Sequence, residues 1–291
     1  MGPFVALHHE TRYRYDRPVT LGPQEIRLKP VPACRTPVRD YRLTLRPERH
    51  SMRWYHDAAG NAVARALFPE KVPGLEIDVD LIADLTPVNA FDFLVEPGAE
   101  RFPFRYADAA AQELAPFLVP AESGKRIARW RGDFEASERP DGRGTVDLLT
   151  RINKRISREV AYVTRHEHGI QSGEETLNLR SGSCRDSGWL LVHILRRFGF
   201  AARFVSGYLV QLESDEPDAP KHDSADLHAW AEAYLPGAGW IGLDPTSGLL
   251  AAECHIPLAR ASTPALASPL SGSVEPCHSQ MEFSFSVKHV S

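Results

Sequence analysis

Ser181-Gly182-Ser183-Cys184-Arg185-Asp186, running at once into Gly188-Trp189-Leu190-Leu191-Val192-His193-Ile194-Leu195, is the stretch on which the fold turns. A short, Gly-flanked loop delivers the chain into a helix apolar enough to be buried almost all round. Ser183 carries an N-capping side chain, and Asp186 three residues on answers it, an acidic variant of the capping box. Arg196-Arg197-Phe198-Gly199 closes the helix, with cations in the last turn and a glycine just past it. Cys184 therefore falls on the first turn of a buried helix, where backbone N–H groups and the positive end of the helix dipole favour a thiolate. A cysteine so placed is a nucleophile or a packing residue. Position alone leaves both open, because free cysteine is among the most buried residue types.

The residues downstream favour the nucleophile. Asp226-Leu227-His228-Ala229-Trp230-Ala231-Glu232-Ala233-Tyr234 reads as a strand, and Trp240-Ile241-Gly242-Leu243-Asp244-Pro245 as its partner across the turn Pro236-Gly237-Ala238-Gly239. A turn centred on Pro236 makes His228 and Asp244 direct cross-strand neighbours on one face. A centre half a residue later puts them on opposite faces unless a bulge intervenes. Cys184, His228 and Asp244 make a complete chemical set. A thiolate attacks an acyl carbon, an imidazole takes the thiol proton and returns it to the leaving group, and a carboxylate fixes the imidazole tautomer.

Four segments together resemble the core of the bacterial transglutaminase-like superfamily: Gly182-Ser183-Cys184-Arg185-Asp186, Ala201-Ala202-Arg203-Phe204-Val205-Ser206-Gly207-Tyr208, Asp226-Leu227-His228-Ala229-Trp230 and Gly239-Trp240-Ile241-Gly242-Leu243-Asp244-Pro245-Thr246. The N-terminal part resembles the β-rich domain that precedes this core in many bacterial members. The resemblance implies a papain-like α+β core, acyl-transfer chemistry, and a Cys-His-Asp triad carried onto Cys184, His228 and Asp244. It leaves open whether the acceptor is water or an amine. The nearest likeness is to the N-terminal portion of larger bacterial proteins described as transglutaminase-like enzymes or cysteine proteases.

At 291 residues the chain holds one large or two modest domains, and its 43% hydrophobic content is that of a globular protein. A net charge of −4, with Arg and Lys scattered, leaves no nucleic-acid footprint. No apolar run approaches the roughly 20 residues of a membrane span. Met1-Gly2-Pro3-Phe4-Val5-Ala6-Leu7-His8-His9 lacks the basic and long apolar regions of a signal peptide, so cytoplasmic residence is expected. Cys34, Cys184, Cys254 and Cys277 are spaced as reduced thiols rather than a disulfide framework. The doublets Cys254-His255 and Cys277-His278 invite a zinc reading but lack the tight spacing of structural zinc sites. His166-Glu167-His168 reads as a solvated loop near the active segment. No metal or cofactor is required.

Residues 4–85 read as antiparallel β structure. Leu75-Glu76-Ile77-Asp78-Val79-Asp80-Leu81 alternates most cleanly, and Asp57-Ala58-Ala59-Gly60-Asn61 is a turn. The expected architecture is α+β: a β-sandwich over residues 1–97, a transglutaminase-like core over 98–257, and a linker with a C-terminal strand over 258–291. Residues 86–106 read as the connection, with short helices around 109–117 and 122–130 and a polar loop over 135–144. Thr145 then caps an amphipathic helix bearing Leu149, Ile152 and Ile156, and Ser172 opens a capping box before the active loop. Glu213-Ser214-Asp215-Glu216-Pro217-Asp218 begins an acidic loop whose oxygens lack EF-hand order. Residues 259–273 look like a linker. Met281, Phe283, Phe285 and Val287 form an apolar stripe that needs a partner sheet, expected to be the N-terminal sandwich. The alternation runs to the chain end, which suggests a fragment of a longer protein.

Around the triad, the backbone N–H of Cys184 is the first candidate oxyanion donor. Tyr162 is either a side-chain donor or an ordinary half-buried tyrosine. Trp230 either walls the substrate cleft or packs in the core. Asp186 caps the helix, with substrate contact as its second reading, and His193 is a core histidine. The leading function is cysteine-dependent acyl transfer or hydrolysis on a peptide or glutamine-type amide through a thioester, with a peptide or protein as partner. From another class comes a binding or scaffold module that keeps the fold without turnover. A third reading is a zinc-dependent module built on Cys254, His255, Cys277 and His278.

Overall fold

The computed structural model describes residues 3–290 except 33, 121, 123, 166, 168 and 214–220. Alternation of apolar residues builds the first layer. Strands β1 (Phe4–Val19), β2 (Gln24–Ile26), β3 (Val38–Arg46), β4 (Ser51–His56), β5 (Ala62–Leu67) and β6 (Val72–Asp84) are all antiparallel to their neighbours. In β6 the inward residues Leu75, Ile77, Val79 and Leu81 are buried, and β1 answers with Val5 and Leu7. Such positions each contribute about 1.5–3 kcal/mol when fully buried.

The chain then runs through short helices α1 (Asp108–Glu113) and α2 (Ala115–Leu118), and longer ones α3 (Lys125–Glu138) and α4 (Thr145–Glu159). Helix α3 passes the expected stop near Trp130 because Phe134 stacks on Trp130 at 5.3 Å between centroids and Arg131 pairs with Glu135 at 2.7 Å. The polar loop thus shrinks to residues 139–144, opening at Arg139 in the left-handed region (φ 46°). Gly144, not Thr145, is the N-cap of α4, and the Thr145 hydroxyl donates instead to the Ala99 carbonyl at 2.6 Å.

Next come β7 (Ala161–Tyr162), α5 (Gly173–Leu179), β8 (Ser181–Gly182) and the central helix α6 (Cys184–Arg197). Ser172 caps α5 by accepting the Glu175 N–H at 3.1 Å. Strands β9 (Ala202–Gln211), β10 (Ser224–Leu235), β11 (Gly239–Asp244), β12 (Leu249–Leu250) and β13 (His255–Ala261) make a five-stranded antiparallel sheet in the order β12-β11-β10-β9-β13. Helix α6 packs on β9 and β10 from one side and against α3, α4 and α5 on the others. Hence Leu190, Leu191, Val192 and Leu195 all have no exposed surface.

The segment that looked like a linker is therefore partly strand. Ile256, Leu258, Ala259 and Ala261 of β13 are buried, and Pro257 is tolerated beside a register shift on the sheet edge. Small residues there serve close packing rather than flexibility.

The C-terminus returns to the sandwich, as the apolar stripe requires. Strand β14 (Leu270–Ser271) pairs with β2, and β15 (Ser279–Val290) pairs with β1 along twelve residues. The two sandwich sheets have the orders β15-β1-β6-β3 and β14-β2-β5-β4. Phe285 and Val287 pack on the sandwich core, whereas Met281 and Phe283 stay about half exposed. Tyr208 and Val210 of β9 and Ile256 and Leu258 of β13 belong to the same apolar cluster as the sandwich. The five-stranded sheet and the sandwich thus share a core. Among the described residues no helix is long and apolar enough to cross a membrane.

Candidate active site

The first turn of α6 is fixed by Asp186, which has no exposed surface. Its Oδ2 accepts the N–H and the hydroxyl of Ser183 at 2.8 Å each, and its Oδ1 accepts the Gln171 N–H at 2.7 Å. Arg165 closes on both oxygens at 2.8 Å. Burial works to raise this carboxyl, but Arg165 and the surrounding donors win and hold it below its ordinary range. Asp186 is therefore a capping and loop-fixing residue, and the substrate-contact reading is ruled out by its burial.

Cys184 opens the helix at 8% exposure, its backbone N–H among those left without an intrahelical acceptor. Gly188, one turn on and on the same face, lies against β10, where an added Cβ would sit 3.4 Å from the Trp230 Cα. That approach brings the cysteine end of α6 to the strand carrying His228.

The β10–β11 hairpin pairs Leu235 with Gly239 and Ala231 with Leu243, so the turn centres on Gly237, not on Pro236. The positive φ of Gly237 (+84°) and Gly239 (+73°) shapes that turn. The shift is a whole residue, so parity is kept: His228 and Asp244 share a face as diagonal rather than direct neighbours. His228 Nε2 lies 3.2 Å from Asp244 Oδ2 and 3.5 Å from the Thr246 hydroxyl, and Cys184 is close enough to act on the same ring. With Nε2 committed to the carboxylate, Nδ1 is the nitrogen left to serve a reacting group.

Burial pushes the His228 imidazole down, yet the hydrogen bonds and charges of Asp244 and Cys184 prevail and raise it to about 10. Burial likewise pushes Asp244 up, and His228 and His255 more than reverse this, leaving the carboxyl well below its usual range. Asp244 is held by its own turn: Oδ1 accepts the Thr246 N–H (2.9 Å) and hydroxyl (2.7 Å), and Oδ2 accepts the Ser247 hydroxyl at 3.1 Å. Asn153 of α4 donates to the Asp244 and Leu249 carbonyls at 3.1 and 2.9 Å. Sequence reading missed Ser247, Asn153 and Arg165. An Asp followed two residues on by Thr is an Asx-turn signal and was available for Thr246.

Trp230 does not wall a cleft. It is 1% exposed, stacked on His228 at 6.2 Å and edge-on to His255 at 5.2 Å, and so backs the imidazole from inside the core. Tyr162 is 55% exposed on β7, whose backbone pairs in parallel with β8 just ahead of Cys184. Partial burial and the charge of Cys184 push its phenol up, so it keeps its proton and remains a hydrogen-bond donor. His193 is fully buried, 3.2 Å from Glu122, and burial brings it down to about 4, as fits a core histidine.

All four cysteines are free thiols. Cys254, Cys277 and His278 do not gather with His255. Among the described residues His255 instead joins His228 and Asp244 as the one cluster of metal-ligating type. His166, His168 and residues 214–218 of the acidic loop lie outside the described residues.

A thiol at a helix start facing a carboxylate-held imidazole, on a papain-like α+β frame, defines a protein of the cysteine-enzyme class. Residues 126–245 match the transglutaminase-like superfamily, and residues 5–84 match the bacterial transglutaminase-like N-terminal region. The chain thus carries a transglutaminase-like core preceded by a bacterial transglutaminase-like N-terminal region. It is 28% identical over 273 residues to an uncharacterized protein of Mycobacterium tuberculosis, covering 91% of this chain and 85% of that protein. A crystal structure of a candidate cysteine protease from Cytophaga hutchinsonii shares the fold with a TM-score of 0.73 at 17% identity, over 100% of this chain and 92% of that one. A stretch of 67 residues is 34% identical to a protein-glutamine gamma-glutamyltransferase of Pseudomonas aeruginosa, covering 23% of this chain and 10% of that protein.

Proposed function

We propose that this chain performs cysteine-dependent acyl transfer or hydrolysis on a peptide or glutamine-type amide, with Cys184, His228 and Asp244 as its triad. The observation that carries the reading is a buried His228 held by Asp244 at 3.2 Å on the strand against which the Cys184 end of α6 packs, with the sulfur acting on the same ring. In the first half-reaction the Cys184 sulfur attacks the amide carbon. The proton on His228 Nδ1 passes to the leaving nitrogen, and a thioester forms as the C–N bond breaks. In the second, water or an amine gives a proton back to His228 and attacks the thioester, which releases the sulfur as thiolate. Asp244 holds the ring through Nε2 and supports its positive charge. The backbone N–H of Cys184 and the Tyr162 hydroxyl are the candidate donors to the oxyanion.

Activity-based labelling with acyl electrophiles, run beside a peptide library with and without a primary amine, tests this. Wild type is expected to label and turn over; Cys184→Ala is expected to do neither. His228→Ala is expected to keep the thiol but lose about 10²–10⁴-fold in rate. The amine arm separates hydrolysis from transfer. The 8% exposure of Cys184 is the observation that favours the second reading, a scaffold module without turnover. A wild-type chain with no more labelling than His228→Ala establishes that one instead.

A further inference from the structure

His255 drew a zinc reading from its sequence neighbours, Cys254 and the Cys277-His278 doublet, and the fold gives it other partners. Its Nε2 lies 3.4 Å from Asp244 Oδ2, the same oxygen that His228 Nε2 approaches at 3.2 Å. The three donor atoms all lie within 4.8 Å of one another. We propose that His228 Nε2, Asp244 Oδ2 and His255 Nε2 form a binding site for a divalent metal of the zinc class, which disarms the triad from the side opposite the sulfur.

Geometry and ligand chemistry support this. Zinc bonds of roughly 2.0–2.1 Å in a tetrahedron give ligand–ligand edges of about 3.3–3.4 Å, close to both separations on Asp244. Two imidazoles and one carboxylate make a zinc-type donor set with a fourth position open. The ligands sit on a stiff frame, His228 on β10 and His255 on β13, each paired to β9. Asp244 keeps its Oδ1 bonds to Thr246 whatever Oδ2 does, which supplies the outer support such ligands need. The other His255 nitrogen, Nδ1, is buried with no hydrogen-bond partner. The ring can therefore carry its proton on Nδ1 without displacing a bond there, and the metal takes the place of the Nε2 bond to Asp244. His255 is the most open of the three at 11% side-chain exposure, against 8% and 2%, and offers the entry.

The proton balance shows why such a metal inhibits. The ion takes the Nε2 lone pair of His228, and the proton on Nε2 that faces Asp244 leaves to solvent. Nδ1 then belongs to a ring tied to the metal through Nε2 and no longer free to cycle a proton. Proton transfer to and from the reacting groups is then blocked. This inhibition rests on the acyl-transfer reading; the binding does not.

The test uses the full chain and Zn²⁺ alone, by calorimetry and by competition with a chromophoric chelator. Cys184→Ala removes the sulfur, the usual zinc ligand of a cysteine site. It is expected to bind one equivalent as wild type does. Adding His255→Gln keeps a donor to Asp244 while removing the ligand, so the protein should melt as before and bind at least 10–100-fold more weakly. His255→Ala should behave the same toward zinc. Loss of binding in Cys184→Ala alone, or full binding in His255→Gln, overturns the proposal, as does a wild type that takes up no zinc. In active protein, chelator should restore turnover. A chain that binds zinc in this pattern but shows no turnover when metal-free sinks the acyl-transfer reading and leaves the site standing.

Discussion

Asp186 shows how much a single buried charge does here. Its two oxygens accept five hydrogen bonds, from Ser183, Gln171 and Arg165, and these tie the loop ahead of Cys184 to the helix that follows. In Asp186→Asn the amide turns a donor toward groups that themselves donate, and Arg165 loses its counter-charge. A loss of about 3–5 kcal/mol is expected from breaking a buried pair, readable by urea unfolding. Asp244→Asn acts through pH. The folded His228 titrates near 10, above its ordinary 6.5, so its coupling to Asp244 and Cys184 stabilises the fold in full below 6.5. That contribution fades as pH rises from 6.5 and is gone once pH passes 10. The stability gap between wild type and Asp244→Asn should therefore be widest below pH 6.5, shrink steadily between 6.5 and 10 and level off above that; a gap unchanged to pH 11 would contradict the raised imidazole.

At the scale of elements, the approach of β9 to Trp230 sets the back wall of the site. A Cβ on Gly207 would lie 2.3 Å from the Ile256 carbonyl oxygen and 2.5 Å from the Trp230 ring. Backbone on one side and a fully buried indole on the other leave it nowhere to go. Gly207→Ala is expected to cost about 1–3 kcal/mol as an overpacked core. It should also lower turnover more than substrate affinity, because the displaced indole stacks on His228. A drop in melting temperature with unchanged kcat would place the strain elsewhere. This contact also marks what the sequence made legible. Helix α6, the β10–β11 hairpin and the alternating strand β6 follow from periodicity, caps and turn residues, all local signals. The exact hairpin register did not, because Gly237 and Gly239 allow several turn centres. The strand β13 was hidden because Ala, Pro and Ser read as a linker until the apolar cluster around Tyr208 gives them a surface to pack on. His255 was visible as a residue, yet its partners lie on other strands and no spacing encodes them.

At the scale of the whole molecule, the sandwich and the five-stranded sheet are joined by several polar contacts, from Thr36 and Asn61 to the β13 strand and its approach and, inside the shared core, from His9. His9 of β1 bonds Tyr208 of β9 at 2.8 Å and Thr11 at 2.9 Å, and it stacks on Phe285 of β15 with centroids 4.5 Å apart. Three elements from the start, middle and end of the chain thus meet on one ring. Tyr208 has no exposed surface, so Tyr208→Phe strands a buried His9 nitrogen and should cost about 1–3 kcal/mol. Because the core is shared, sandwich and five-stranded sheet should still melt together; two separated transitions in wild type would show that the junction is weaker than its burial implies. The same ring shapes the acid side of stability. Burial, helped by neighbouring His8, brings His9 down to about 4, and burial does the same to His193. Between pH 6.5 and 4 the unfolded chain takes up protons that these two folded rings refuse, so stability falls as pH drops through that window. His9→Gln, which keeps hydrogen-bonding capacity without titrating there, is expected to flatten that fall by roughly half, measured as unfolding free energy at a series of pH values. An undiminished slope in His9→Gln would mean that the sandwich-to-sheet junction opens to water and that His9 titrates as it does in the unfolded chain.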